Sequence, residues 1–168
     1  MKVVSYWANI PEGVKVIPKD CFGRRMSFYI FPPGLKAIDD RAFENEGMGS
    51  INLPEGLESI GFRAFFNAGT ARTLNIPDSV RYIGPQALVL QCLEKIEVSS
   101  RNMHYTSLRG VLFDKDVKTL IKYPKMMEED VYYVPDTVET IADYAFYQAN
   151  ISKVVLPKRL KRIGAAAF

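Results

Sequence analysis

Apolar positions recur along the chain at a fixed spacing, in a twelve-residue phrase that opens on proline. The phrase follows the rule P-x-x-[LV]-x-x-I-x-x-x-[AC]-[FL], and its six copies begin at Pro11, Pro32, Pro54, Pro77, Pro135 and Pro157. Four of the five steps between these prolines are 21 to 23 residues long, and the fourth step, from 77 to 135, is 58. A unit this short cannot bury its own apolar side chains, so it must stack on neighbouring copies. The spacing therefore predicts a solenoid.

A second pattern, apolar-x-apolar, precedes most of the prolines, as in Ile51-x-Leu53 and Leu74-x-Ile76. This alternation predicts a short strand, and the proline that follows ends the strand because it has no N–H to donate. The second half of the phrase, I-x-x-x-A-F, has the spacing of one helical turn but is too short for a stable helix. It predicts a turn or a short 3₁₀ helix on the convex side of the solenoid.

The long step hides a seventh repeat. Leu93-x-x-Ile96-x-Val98 repeats the strand pattern, with Ser99 in the place of proline. Further on, the apolar runs Val111–Phe113 and Leu120–Tyr123 flank a polar turn at 114–116, which predicts a β-hairpin. We interpret residues 1–168 as a single solenoid domain. A β-hairpin insertion at about 105–124 replaces the second half of the seventh repeat.

This pattern resembles the BspA-like leucine-rich repeat family, whose unit is roughly L-x-x-[IL]-x-[IL]-P-x-x-[LV]-x-x-I-G-x-x-A-F-x-x-C. The segments Ile60–Phe65 and Ile163–Phe168 reproduce I-G-x-x-A-F without change, and the inserted segment Gly110–Pro124 is also similar to that family. The resemblance covers residues 8–168, nearly the whole chain.

The resemblance implies a right-handed leucine-rich-repeat solenoid of β-rich α/β class. Short parallel β-strands would line its concave face, with turns or short helical pieces on the convex side. It also implies binding rather than catalysis, and a cell-surface or secreted location. The chain begins MKVVSYWANIPEG, which has no basic region followed by an apolar region and so does not predict a secretory signal.

Composition excludes several classes of protein. No apolar run approaches the roughly 20 residues that cross a bilayer, so no membrane insertion is expected. The net charge of +3 is too weak to favour nucleic-acid binding. One basic cluster stands out, and we interpret it as a solvated edge, with an acidic or phosphate-bearing partner as the alternative. Its members are Lys153, Lys158, Arg159, Lys161 and Arg162.

The two cysteines are predicted not to pair with each other. Cys21 takes the small-residue position that alanine holds in the other copies, and Cys92 falls three repeats later. At about 4.8 Å per strand, three repeats separate them by about 14 Å, whereas the Cα atoms of a disulfide lie within about 7 Å. The register therefore predicts two free, buried thiols.

Residues that could carry chemistry are sparse. His104 is the single histidine, and no Cys or His partners stand at metal-ligand spacing. The acidic pair Asp114 and Asp116 lacks the other ligands of a calcium loop and is interpreted as a hairpin turn. No nucleophile motif or phosphate loop occurs. The sequence thus predicts no enzyme, no cofactor and no metal.

The concave face is the candidate binding surface, since residues that alternate with the inward apolar pair point outward. They form two columns along the stack. The first column holds Trp7, Phe28, Ser50, Thr73, Lys95, Val131 and Lys153, and the second holds Asn9, Ile30, Asn52, Asn75, Glu97, Tyr133 and Val155. The predicted partner-binding residues are Trp7, Asn9, Phe28, Ile30, Asn52, Asn75, Lys95, Glu97 and Tyr133.

Three features of this face leave alternatives open. The aromatic end at Trp7, Phe28 and Ile30 is either a partner site or a surface that the first repeat covers as a cap. Asn52 and Asn75 either contact a partner or form a side-chain ladder between strands. The apolar cluster of Val131, Tyr133 and Val155 is either a second exposed patch or a surface that the inserted hairpin covers.

The predicted function is non-enzymatic recognition of a protein or a cell surface through the concave face. The alternative is a structural spacer or assembly unit of a larger repeat protein that self-associates through bare solenoid ends, because Phe168 is the last residue of a repeat phrase. Glycan binding is a more distant alternative.

Overall fold

The computed structural model describes residues 7–22 and 28–168. Across these ranges the chain is a β-solenoid of about seven turns, built from short strands and turns, and it contains no helix. Of the two options that the sequence left for the convex side, turns are therefore correct. No helix of the described residues is long and apolar enough to cross a membrane.

The strands that precede the prolines lie side by side and form what we call the front face, the surface predicted to be concave. They pair in parallel as β1 with β3, β6 with β8, and β12 with β14. Their bounds are β1 Trp7–Asn9, β3 Phe28–Ile30, β6 Thr73–Ile76, β8 Lys95–Val98, β12 Val131–Tyr133 and β14 Lys153–Val155.

The third repeat departs from this pattern, because its predicted segment at 50–53 is not a strand. Gly47 and Gly49 precede it, and glycine weakens a strand because it loses more backbone freedom on ordering.

A second set of strands, which the sequence did not predict, forms what we call the side sheet. Each is two residues long and carries the isoleucine of the phrase P-x-x-[LV]-x-x-I. Their bounds are β2 Val16–Ile17, β4 Ala37–Ile38, β5 Ser59–Ile60, β7 Tyr82–Ile83, β13 Thr140–Ile141 and β15 Arg162–Ile163. The first four pair in parallel in the order β2-β4-β5-β7. In the inner repeats the isoleucine points inward, while the residue before it faces solvent or the rim.

The insertion is a three-stranded antiparallel meander of β9 Tyr105–Leu108, β10 Val111–Asp114 and β11 Thr119–Lys122. The predicted hairpin corresponds to β10 and β11, and β9 was not predicted. β11 pairs in parallel with β13. It therefore supplies the side-sheet strand of the repeat that is hidden between Pro77 and Pro135, the fifth in chain order. Asp114 stabilises the turn, since its Oδ1 accepts hydrogen bonds from the N–H groups of Lys118 and Thr119 at 2.7 and 2.9 Å.

Strand β10 runs through the core and divides it into two clusters. Val111, Leu112 and Phe113 are all fully buried. Leu112 packs into the cluster of the N-terminal repeats, whereas Val111 and Phe113 pack into the C-terminal cluster. Because successive side chains of a strand point to opposite faces, one strand seals both halves of the core.

Aromatic side chains form a stacked column within the N-terminal cluster. Phe43 is fully buried and stacks between Phe22 and Phe65, with ring centroids 5.0 and 5.4 Å away. Tyr29 and Phe31 contact the same ring edge-on. The final phenylalanines of the first three phrases therefore build the centre of this cluster.

Asn102 joins the insertion to the repeat beside it. Its side chain is fully buried, and its Nδ2 donates to the carbonyl oxygens of Pro77 and Val80 at 2.7 and 2.9 Å. Its Oδ1 accepts from the backbone N–H groups of His104 and Tyr105, both at 2.8 Å. Both amide hydrogens and the carbonyl oxygen are thus satisfied inside the protein.

A ladder of amide side chains runs along the turns that close each repeat. Asn67 donates to Asn45 at 2.7 Å, and Gln91 donates to Asn67. Lys125 extends the ladder by donating to Gln91 at 2.8 Å and to Gln148 at 3.1 Å. Asn45 and Asn67 have φ values of 63° and 56°, a left-handed conformation that asparagine tolerates well.

Both cysteines are free thiols, in agreement with the prediction that they do not pair. The expectation that both are buried is wrong, because Cys21 is exposed and Cys92 is half-buried. Cys21 lies in the first repeat, at the N-terminal end of the stack. No preceding repeat of the described residues packs over its side chain there.

Candidate functional site

Within each of its three strand pairs, the front face has the register that the sequence predicts for the two columns. Parallel pairing places Trp7 beside Phe28 and Asn9 beside Ile30 at one end. The same register holds in the other two strand pairs, where the neighbours are Thr73 with Lys95, Asn75 with Glu97, Val131 with Lys153, and Tyr133 with Val155.

The N-terminal end of the front face is an exposed aromatic patch. Trp7 stacks on Phe28 with ring centroids 4.6 Å apart and planes 19° apart. Trp7 is 61% exposed and Ile30 is 49% exposed. Gly49 makes room for the Phe28 ring, because a Cβ at that glycine would lie 2.6 Å from Cε1 of Phe28. The Trp7 ring is thus open to solvent, as a partner site requires, whereas Phe28 is half-buried.

The middle of the front face is polar. Ser50, Asn52 and Asn75 are exposed, and Lys95 pairs with Glu97 on the same strand at 2.7 Å. Within the described residues the hydrogen-bonded amide ladder joins Asn45, Asn67 and Gln91 on the turns. Asn52 and Asn75 are not members of that ladder, and their amides face solvent.

The C-terminal end of the front face is a second apolar patch. Tyr133 is 71% exposed and Val131 is 37% exposed, while Val155 is half-buried. The alternative in which the hairpin covers this cluster is therefore wrong. The tip of the β9–β10 turn lies beside β8 instead, where Gly110 accepts a hydrogen bond from the N–H of Ile96 at 2.8 Å.

The other sequence candidates occupy ordinary surface positions. His104 is exposed in the loop before β9. In the basic cluster, Lys161 pairs with Glu139 at 2.6 Å and Arg162 with Asp143 at 3.4 Å, each on the preceding repeat. Among the described residues, no group of three or more His, Cys, Asp or Glu side chains converges as a metal site would need.

Sequence reasoning missed a cleft between the fourth and sixth turns of the stack and the lysine that forms part of its lining. The cleft measures about 260 Å³, and its lining includes Pro85, Gln86, Ile121, Lys122 and Tyr144. Lys122 is only 4% exposed, and its Nζ donates to the carbonyl oxygen of Tyr144 at 3.2 Å. Burial lowers the pKa of Lys122 from 10.5 to about 7, and the nearby charge of Lys125 acts in the same direction.

The backbone hydrogen bonds of the structure show which position of the repeat Lys122 occupies. The N–H of the phrase's final aromatic residue bonds to the alanine carbonyl of the next repeat, as in Phe43 to Ala64 and Phe65 to Ala87. Tyr123 bonds in the same way to Ala145, so Tyr123 takes the phenylalanine position and Lys122 takes the alanine position. A lysine where every other copy has alanine or cysteine identifies an exceptional environment.

The buried lysine leads to a prediction about stability. The unfolded chain binds more protons than the folded chain between pH 7 and 10.5, so Lys122 makes stability rise with pH through that window. We expect Lys122→Met to stabilise the fold by about 1–4 kcal/mol at pH 6 and to flatten this rise. Urea unfolding at pH 6 and pH 9.5 measures both effects. Lys118→Met, at an exposed lysine of the same hairpin, should retain the wild-type slope; an unchanged slope in Lys122→Met would refute the prediction.

Comparison with known proteins decides the family. The model of the family described as "BspA type Leucine rich repeat region" matches residues 6–119 and 130–168, in six copies. The chain belongs to the BspA-type leucine-rich repeat family. The resemblance drawn from the sequence is therefore confirmed, and Lys122 lies in the unmatched interval 120–129. No curated protein matches the chain.

Three solved structures share this BspA-type repeat fold. A leucine-rich repeat protein from Eubacterium ventriosum is 27% identical over 96% of the chain, with a TM-score of 0.87. The pneumococcal vaccine antigen PcpA is 30% identical over 99%, with a TM-score of 0.82. A leucine rich cell surface protein from Faecalibacterium prausnitzii is 22% identical over 99%, with a TM-score of 0.67, and shows the fold alone. The chain spans 44%, 49% and 59% of these proteins, respectively.

Proposed function

We propose that this BspA-type repeat domain recognises a protein partner through its front face and acts by binding rather than by catalysis. The observation that carries the proposal is the exposure of aromatic side chains at both ends of that face. Trp7 is 61% exposed and Tyr133 is 71% exposed, although a folded chain ordinarily buries most of the area of such side chains.

The composition of the front face suits a protein partner. Tryptophan and tyrosine are enriched among the residues that dominate binding energy, and they are surrounded by polar groups that exclude water on association. Here the polar centre that includes Asn75 and the Lys95–Glu97 pair separates the two aromatic ends. Such a face can bury an aromatic anchor at each end and satisfy polar groups between them.

We also propose that the domain works at a cell surface, as an adhesion module. The similarity to a pneumococcal vaccine antigen at 30% identity supports this location, and so does the fold shared with a leucine rich cell surface protein. The repeat architecture supports the adhesion role, because a stack of short strands presents an extended surface on which a macromolecule can bind.

The experiment first identifies a partner. The purified chain is immobilised and exposed to surface-biotinylated proteins extracted from cultured epithelial cells, and a captured protein is then purified for titration. We expect Trp7→Ala and Tyr133→Ala each to weaken its affinity by about 30-fold, the effect of losing a residue worth about 2 kcal/mol. Isothermal titration calorimetry measures the change.

Tyr82→Ala is the matched control, because Tyr82 is 52% exposed on the side sheet rather than on the front face. Its affinity should stay within about twofold of the wild type. Weakened binding by Tyr82→Ala, together with wild-type binding by both front-face variants, would move the site off the front face and overturn the proposal. A captured glycan-bearing protein that loses binding on deglycosylation would replace a protein partner with a glycan.

A further inference from the structure

The cleft around Lys122 arises because one turn of the stack is two residues short. In a regular repeat the isoleucine and the final aromatic residue are five positions apart, as from Ile60 to Phe65. In the insertion Leu120 pairs with Ile141 and Tyr123 takes the aromatic position, so the same interval is only three positions long. The neighbouring turns at 84–88 and 142–146 keep their full length. The missing residues leave an open space between them.

The short turn also interrupts a ladder of backbone hydrogen bonds. In regular repeats an N–H in this turn donates to the carbonyl oxygen of the next turn, as from Arg41 to Phe62 and from Arg63 to Pro85. Tyr144 donates to Ala165 in the same manner. Gln86 stands at the equivalent position, and its N–H has no acceptor among the described residues because the residue that would face it is missing. Gln86 also lines the cleft, so this free donor lies beside it.

Lys122 supplies a second group for a ligand at the same place. A protonated amine has three donors, and among the described residues Nζ of Lys122 has a single acceptor, the carbonyl oxygen of Tyr144 at 3.2 Å. No carboxylate of the described residues lies within ion-pair distance to neutralise it. Asp143, which lines the cleft, is engaged by the N–H of Ala165 at 2.9 Å and by Arg162 at 3.4 Å. Buried cationic groups are stabilised only when an anion or enough acceptors face them.

The apolar lining of the cleft includes Ile83, Pro85, Ala87, Ile121 and Ala142. The polar residues Thr119, Thr140 and Asp143 also line it. The hydroxyl oxygen of Tyr105 accepts a hydrogen bond from the N–H of Ile83 at 2.9 Å and so caps the edge of β7. Arg162 lies at the rim, where its side chain is 64% exposed.

We propose that this cleft binds a small aliphatic carboxylate, with the carboxylate on Lys122 and the Gln86 N–H and the carbon chain against Ile121 and Pro85. A monovalent carboxylate supplies the negative charge and acceptor oxygens that the two donors need. The hydrocarbon chain gains by leaving water for the apolar walls. A phosphate would bring more charge and no apolar body into the same space. This inference is independent of the front face.

Pentanoate is the probe, and pentanamide is its neutral control of nearly equal size. We expect pentanoate to shift the amide resonances of residues 84–87 and 142–144 with an affinity of about 1 mM, and pentanamide to bind at least tenfold more weakly. Bound pentanoate should also raise the titration midpoint of Lys122, followed through its side-chain resonances, because the anion stabilises the ammonium form.

Two variants separate the parts of the site. Lys122→Met keeps most of the length of the side chain and removes the amine, so pentanoate should lose its advantage over pentanamide. Ala142→Leu fills the cleft and leaves the amine, so both compounds should lose binding. Equal affinities of the two compounds for the wild type would overturn the carboxylate assignment. Absence of shifts at 84–87 and 142–144 with millimolar pentanoate would overturn the site.

Discussion

Replacing Phe43 with alanine is expected to destabilise the protein by about 3–5 kcal/mol, because it removes a fully buried ring from the centre of the aromatic column. The ring contacts Phe22, Tyr29, Phe31 and Phe65 at centroid distances between 4.9 and 5.6 Å. Those neighbours are held on different repeats, so they cannot close the cavity without shifting the stack. Urea unfolding followed by circular dichroism measures the loss.

Phe168→Ala is the control for this prediction, because Phe168 holds the same repeat position but is 58% exposed. It contacts Phe146 at 5.1 Å on one side only. Its replacement should cost less than half as much as that of Phe43. Equal losses at the two positions would show that the column does not carry the stability of the stack.

Gly84→Ala is the second large effect, with an expected loss of at least about 3 kcal/mol or failure to fold. A Cβ at Gly84 would lie 2.6 Å from the backbone nitrogen of Phe62 and 2.7 Å from the backbone carbon of Gly61. Both atoms belong to the main chain of the preceding repeat and cannot turn away as a flexible side chain can. Gly84 is thus required by the close approach of successive turns, and a Cβ at Gly61 or Gly164 would come equally near the main chain of the preceding repeat. Thermal unfolding measures the change.

Gly13→Ala is the matched control, because nothing lies within 4 Å of a Cβ at that position. It should change stability by no more than about 0.5 kcal/mol, apart from a small gain from reduced freedom of the unfolded chain. If Gly84→Ala folds with wild-type stability, the distance between successive repeats must be larger than in this structure.

The repeat phrase predicts the front face well, for a physical reason. Side chains of a strand alternate between two faces, and the repeats stack at a fixed spacing. Only one pairing register of neighbouring strands therefore lets the apolar positions of every repeat face inward. That constraint alone is enough to place Trp7 beside Phe28 and Tyr133 beside Val155, as the parallel pairing does. The proline that ends each strand fixes the phase of the pattern.

The side sheet and the cleft could not be predicted in the same way. Two-residue strands such as Ser59–Ile60 are too short for an alternation to be visible, and the phrase I-x-x-x-A-F is equally compatible with a helical turn. The cleft depends on the pairing of β11 with β13, which decides that Lys122 replaces an alanine. That pairing joins residues of different repeats, and the sequence of the insertion alone does not define it. The exposure of Tyr133 depends likewise on where the β9–β10 turn lies.

Hydroxyl-radical footprinting of the chain bound to its captured partner tests the central claim most directly. Trp7 and Tyr133 on the front face, and Tyr82 and Met103 away from it, are all more than half exposed and therefore open to oxidation in the free protein. Binding through the front face predicts strong protection of Trp7 and Tyr133 with unchanged oxidation of Tyr82 and Met103. Protection of Tyr82 or Met103, with Trp7 and Tyr133 oxidised as in the free chain, would contradict the account.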